Sequence, residues 1–185
     1  MTMSTETINQ QIPAGTWTVD PVHSTIHFAI THSEVATFRS GFREYEATLT
    51  GGEAPKLEGA VEVASIDIGE EMLKGHLLGP DFFDAEKHPQ LKFSSTELSV
   101  DEDGQVRLSG ELEIRGEVRQ VQAVGRFAKV GAYLDGRERL GLSVEAAVDR
   151  REFGLNWNAD LPGGGQALEF EVAINVELEF VAEAE

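Results

Sequence analysis

Residues 167–180, ALEFEVAINVELEF, alternate apolar and polar side chains with almost no break. The apolar row contains every second residue: Leu168, Phe170, Val172, Ile174, Val176, Leu178 and Phe180. Glutamate dominates the other row. Because successive side chains of a β-strand point to opposite faces, the pattern predicts a strand with one apolar and one water-facing side. The apolar side must pack either on a protein core or on a bound apolar ligand.

The same period of two recurs along the chain and predicts about eight strands, separated by glycine-rich turns. Their expected positions are residues 17–31, 37–50, 58–66, 91–100, 105–115, 118–130, 138–149 and 167–181. The apolar phase slips between Phe42 and Tyr45, which suggests a bulge near Gly41. Met72, Leu73, His76 and Leu77 have helical spacing and predict one short helix before Gly79-Pro80.

The strand lengths favour an all-β, extended eight-stranded antiparallel barrel with a short helical insertion between strands 3 and 4. Several predicted strands are about twice the usual five or six residues, and long strands are more typical of a barrel than of a sandwich. An eight-stranded barrel either fills its interior with side chains or leaves room for one ligand, and the pattern leaves both open. The 185 residues fit one domain, expected at residues 16–183 after a flexible leader at residues 1–15.

Composition excludes several classes of function. The chain has 33 acidic and 15 basic residues, a formal net charge of −18, which disfavours binding to nucleic acid or to anionic membrane. It has no cysteine, so disulfides, thiolate metal sites and cysteine nucleophiles are impossible. No apolar run approaches the roughly 18 residues of a membrane-spanning helix. The first residues lack the features of a signal peptide, so we expect a cytoplasmic location.

The five histidines do not form a recognisable metal or catalytic motif. His23 and His27 share one face of the first strand but are about 13 Å apart, too far to share one ion. His32 lies on the opposite face, and neither an HExxH nor a GxSxG motif is present. We therefore expect no metal and no enzymatic activity.

Six segments in order resemble the YceI-like family of polyisoprenoid-binding proteins. They are WTVDPVHSTIHFAITH (17–32), FRSGF (38–42), VEVASIDIG (61–69), HLLGPDFFDAEKHPQLKFSS (76–95), GELEIRGEVRQV (110–121) and RREFGLNWN (150–158). The resemblance covers about residues 16–181. It implies a lipocalin-like barrel whose apolar channel binds a long isoprenoid or similar lipid, such as a polyprenyl diphosphate or an isoprenoid quinone.

On this resemblance the expected channel residues are Ile26, Phe28, Ile30, Phe42, Phe82, Phe83, Phe93, Leu142, Val144, Phe153, Trp157, Phe170, Val172 and Ile174. The expected contacts to a charged head group are Arg39, Lys74, His76 and His88. The chain departs from the family at Leu73 and Lys74, where similar sequences usually have an arginine and an aspartate. A base at position 74 favours an anionic head group.

Two other functions fit the same residues. One is an enzyme on a barrel of this kind, with His23, His27 or His76 as acid or base. The other is a stress-related barrel without a specific ligand. Oligomeric state is open, with a homodimer as the commonest arrangement.

Overall fold

The computed structural model describes residues 12–183 and is built almost entirely of antiparallel strands. The strands are β1 Gly15–Val19, β2 Thr25–His32, β3 Ala36–Phe42, β4 Tyr45–Gly51, β5 Lys56–Glu62, β6 Gln90–Val100, β7 Gln105–Ile114, β8 Glu117–Ala132, β9 Glu138–Asp149 and β10 Glu171–Ala182. In the described part of the chain the one α-helix is α1, Glu71–Leu78, at the predicted place. Among these residues no helix is both long enough and apolar enough to cross a bilayer.

The strands close into a barrel. The order is β1-β4-β5-β6-β7-β8-β9-β10, and β10 pairs back onto β1. β2 continues the path of β1 along β10, and β3 pairs with β2 before the chain enters β4. The ten segments therefore form eight long strands, and the predicted eight-stranded antiparallel barrel is confirmed.

Two of the eight long strands are interrupted. Between β1 and β2, Pro21 has no N–H to donate, and the Ser24 hydroxyl accepts from the Glu179 N–H at 2.9 Å. Between β3 and β4, residues 43 and 44 leave the ladder, which accounts for the predicted phase slip after Phe42.

The insertion between β5 and β6 packs against β3. Phe42 forms an isolated bridge with Ile66, and the Asp67 N–H donates to the Gly41 carbonyl at 2.8 Å. The rings of Phe42 and Phe83 meet edge to face, with 6.1 Å between centroids. At the start of α1, the Glu70 carboxylate accepts hydrogen bonds from two backbone N–H groups, a standard N-cap. Leu73, His76 and Leu77 of α1 line the barrel interior, so the helix covers one end of the barrel.

Large apolar side chains fill the other end. Trp17, Leu49 and Phe180 are at most 3% exposed and pack in one cluster with residues of β6 to β9. The same cluster includes Ile12, which is 2% exposed.

The start of the packed domain differs from the prediction. Most of the expected leader, residues 1–11, lies outside the described residues. The Trp17 indole N–H donates to the Pro13 carbonyl at 3.2 Å, and the Gly52 N–H donates to the Ile12 carbonyl at 3.1 Å. Within the described residues, these contacts extend the packed region back to Ile12, four residues before the expected start of the domain.

Candidate ligand-binding cavity

The capped half of the barrel contains a cavity of about 560 Å³. Sites for small molecules usually have about 300–1,000 Å³, so the space suits one ligand. The inner row of β10 forms one wall through Val172, Ile174, Val176 and Leu178. The apolar face of residues 167–180 thus packs on protein core at one end and faces empty space at the other.

The cavity has a floor and a rim. Leu178 and Leu108 line the space and also belong to the filled cluster, so they form the floor. Leu178 lies six residues after Val172, which corresponds to about 20 Å at about 3.3 Å per residue. At the opposite end Leu73 and His32 line the cavity and are exposed, which places the rim between α1 and the β2–β3 turn.

Aromatic rings pack α1 against the segment that follows β9. The His76 ring meets the rings of Phe82 and Trp157 edge to face, with centroids 5.1 and 5.0 Å away. The Asn158 side chain bonds both the Leu168 carbonyl, at 2.7 Å, and the Leu168 N–H, at 3.0 Å. These contacts position Trp157 and Leu168 on the cavity wall.

Twelve of the fourteen expected channel residues line this cavity. They are Ile26, Phe28, Ile30, Phe42, Phe82, Phe83, Phe93, Val144, Phe153, Trp157, Val172 and Ile174. Their contact with a ligand stays a prediction.

Leu142 and Phe170 were expected on the channel wall, and the structure places them elsewhere. Leu142 is 1% exposed inside the filled cluster, below the floor. The chain bends at Phe170 before β10 begins, so its ring turns away from the cavity and packs against the guanidinium groups of Arg150 and Arg151. Alternation gives a side chain its face only while the strand is regular.

The four expected head-group residues are not brought together. Only His76 lines the cavity, and its Nε2 lies 3.2 Å from the Asp81 carboxylate. Arg39 is exposed on the outer row of β3, since Phe38 takes the inner row. Lys74 is half-buried on α1 away from the lining, and the His88 ring packs beside Gly116 in the β7–β8 turn. The structure does not support a shared anion site of these four residues.

Arg150 is a cavity residue that the sequence analysis missed. It is 4% exposed and lines the cavity. The signal was present, because the inner row of β9 runs Val144, Ala146, Val148 and reaches Arg150 at the next step of two. An arginine after an apolar row looked like the end of the strand.

Arg150 is buried next to a carboxylate that is paired with another arginine. Burial lowers the pKa of the Arg150 guanidinium. The neighbouring Asp149 carboxylate is engaged by Arg151, whose Nε donates to it at 2.9 Å, and these hydrogen bonds lower the pKa of Asp149 to about 2. Asp149 is thus already paired beside a buried, still cationic arginine.

The other histidines do not form a catalytic group in the cavity. His23 is on the outer surface, where Nδ1 lies 2.9 Å from the Asp20 carboxylate, and this contact raises the pKa of His23. With Glu179 these two residues could place three ligand atoms around a metal ion, although Glu179 is also paired with Arg139. His27 is exposed on β2 and also borders the cavity, as His32 does at the rim. In the described residues the cavity lining includes no serine, threonine, cysteine or tyrosine.

Comparison with known proteins identifies the family. The model of the YceI-like domain matches residues 17–180. A UPF0312 protein of Staphylococcus epidermidis is 28% identical over 166 residues, which cover 87% of this chain and 94% of the relative. One of Staphylococcus aureus is 25% identical over 169 residues, with coverage of 89% and 96%.

Two solved structures share the fold. BcnA of Burkholderia cenocepacia superposes with a TM-score of 0.74 at 22% identity, covering 87% of this chain and 98% of BcnA. A polyisoprenoid-binding domain from Saccharophagus degradans, implicated in plant cell wall breakdown, gives a TM-score of 0.64 at 14% identity, with coverage of 90% and 98%. The lipocalin-like barrel and the resemblance found in the sequence are both confirmed. This chain belongs to the YceI-like family.

Proposed function

We propose that this protein binds and carries a single-chain amphiphilic lipid of the isoprenoid class, with its tail in the cavity. The observation that carries the proposal is the apolar cavity of about 560 Å³ against the inner row of β10. Burial of apolar surface is the main source of affinity in such a site. The polyisoprenoid-binding domain with the same fold supports the choice of lipid class.

The lining supports binding over nucleophilic catalysis. Hydroxyl and thiol side chains, the usual nucleophiles, are absent from the described lining. His76 lines the cavity, but its contacts with Phe82, Trp157 and Asp81 give it a packing role. Cytoplasmic location, transport and a homodimer stay predictions.

The depth of the cavity favours a tail of moderate length. An extended chain advances about 1.2 Å per bond, as the polypeptide backbone does, so about 20 Å along β10 takes about 16 chain atoms. The filled cluster around Phe180 stops the tail below that depth. A much longer polyprenyl tail would fold back or leave part of its length outside the rim.

The two tryptophans give a direct test of binding. Trp157 lines the cavity, whereas Trp17 is buried in the filled half, and the chain has no other tryptophan. In a Trp17→Phe variant stripped of lipid, a C15 prenyl diphosphate or a prenylquinone of similar tail length should change the remaining emission on titration. The matched Trp157→Phe variant should show no change. If neither variant gives a saturable signal, the proposal is contradicted.

Native mass spectrometry of protein purified from its own host identifies the natural ligand. We expect an added mass at one copy per chain, in the range of a prenyl lipid. A ligand with no apolar chain would contradict the proposed class.

A further inference from the structure

The inner row of β9 ends in a buried arginine at the wall of a predominantly apolar cavity. Arg150 follows Val148 on that row and is 4% exposed. Charged side chains are rarely buried to this extent unless they are paired. Within residues 12–183, no carboxylate forms an ion pair with it.

Three backbone carbonyls fix the guanidinium in place. Nε donates to the Glu169 carbonyl at 2.9 Å, and Nη1 donates to the carbonyls of Leu155 and Trp157 at 2.6 and 2.8 Å. These bonds use three of the five N–H donors of arginine. Nη2 has no partner in the described part of the protein and has almost no accessible surface, so a head group would have to displace a lining side chain to reach it. The group is therefore oriented by the fold, and two N–H donors are left over.

Nearby groups compensate the charge only in part, through the Asp149 carboxylate. The Phe170 ring packs against the guanidinium, with Cζ 4.9 Å from the ring centroid. Asp149 is engaged by Arg151, as described above. The two carboxylates in the lining, Glu46 and Glu58, lie on β4 and β5, at the other side of the closed ring.

We propose that Arg150 is the head-group anchor of the cavity and selects a lipid with an oxyanion head, a carboxylate or a phosphate. The proposal rests on the proposed function, and its observation is the juxtaposition of a buried, unpaired guanidinium with an apolar cavity. Guanidinium pairs strongly with both anions through charge-assisted hydrogen bonds. Arg150 lies at the capped end and Leu178 at the floor, so the tail points toward the filled half of the barrel.

The test compares three ligands with the same tail: hexadecanoate, hexadecyl phosphate and hexadecanol. Trp157 fluorescence in the Trp17→Phe background, at pH 8, gives the affinity of each. We expect the unmodified cavity to bind at least one of the anions more tightly than the alcohol by at least about tenfold, the usual effect of a hydrogen bond to a charged group. Which anion is preferred identifies the head group.

Two variants show whether Arg150 causes that preference. Arg150→Gln should bring the anion-to-alcohol affinity ratio close to one. Arg39→Gln, which removes an exposed cation on the outer row of β3, should leave the ratio unchanged. The ratio is a readout that a purely structural role of Arg150 would not move, because both ligands bind in the same cavity.

The first two outcomes use only the unmodified cavity, so they separate the two proposals even if Arg150→Gln does not fold. Equal affinity of the unmodified cavity for all three ligands overturns the role of Arg150 and leaves tail binding intact. Absence of binding for all three overturns the proposed function as well. A ratio that survives Arg150→Gln in folded protein also overturns the anchor.

Discussion

Filling the cavity from within separates a binding space from a loosely packed core. Ala146 lines the cavity from β9, directly opposite Ile174 of β10. A phenylalanine at position 146 would project into empty space near the capped end. Four residues of β10, about 13 Å, separate Ile174 from Leu178 at the floor. The substitution should therefore block most of the cavity from the rim.

The expected loss of affinity follows from the methylenes that no longer fit. Each buried methylene contributes about 0.8 kcal/mol, or about fourfold in Kd. Excluding only three of them weakens binding by about 60-fold. Stability should respond differently from that of a filled core, where an added ring costs about 1–3 kcal/mol. In empty space that cost is absent, so the melting temperature should stay within about 2 °C.

The affinity is measured by displacing a fluorescent lipid probe with hexadecanol. The melting temperature is measured by thermal unfolding of lipid-free protein. Ala147→Phe is the matched control, because Ala147 is the next residue of β9 and faces outward. It should change neither affinity nor melting temperature. A fall of more than about 4 °C for Ala146→Phe, with hexadecanol affinity unchanged, would refute the cavity, because it would show that the space is closed in solution.

Three further predictions concern stability and ionisation. Ile12→Ala should cost about 2–5 kcal/mol and lower the melting temperature by at least about 4 °C, whereas removing residues 1–11 should leave it unchanged. By NMR, His23 should titrate above 6.5, and Asp20→Asn should abolish this shift; the stabilisation by this pair is present below pH 6.5 and lost as pH rises through the folded pKa. Asp149 should titrate near 2, and nearer 3.8 in Arg151→Gln; its contribution is present above pH 3.8 and lost as pH falls through about 2.

The alternating rows determined the architecture. A period of two is a local property of extended backbone, so Val172 to Phe180 showed their inner and outer faces before any partner strand was known. Eight such rows of unusual length have few ways to bury their apolar sides, and a closed barrel is one of them. The short helix was equally visible, because the spacing of Met72, His76 and Leu77 and the following Gly79-Pro80 are local signals.

Only the tertiary structure decided which part of the interior is filled. Leu142 and Val144 belong to one inner row, two residues apart, yet Leu142 is packed among side chains and Val144 faces the cavity. Periodicity states which face a side chain takes, but the space in front of it depends on side chains from strands distant in sequence. For the same reason Ile12 joined the core, although the two residues before it are glutamines.

The head group shows the same division. The alternation of residues along β9 places Arg150 on the inner row. Its lack of an ionic partner depends on other segments: Asp149 is paired with Arg151, the carbonyls after β9 accept its hydrogen bonds, and the ring of Phe170 packs against it. The expected head-group contacts Arg39 and His88 also have basic side chains, but the fold directs them away from the cavity. Charge is written in the sequence, whereas desolvation and pairing, which decide what a buried charge can bind, arise only when distant segments pack together.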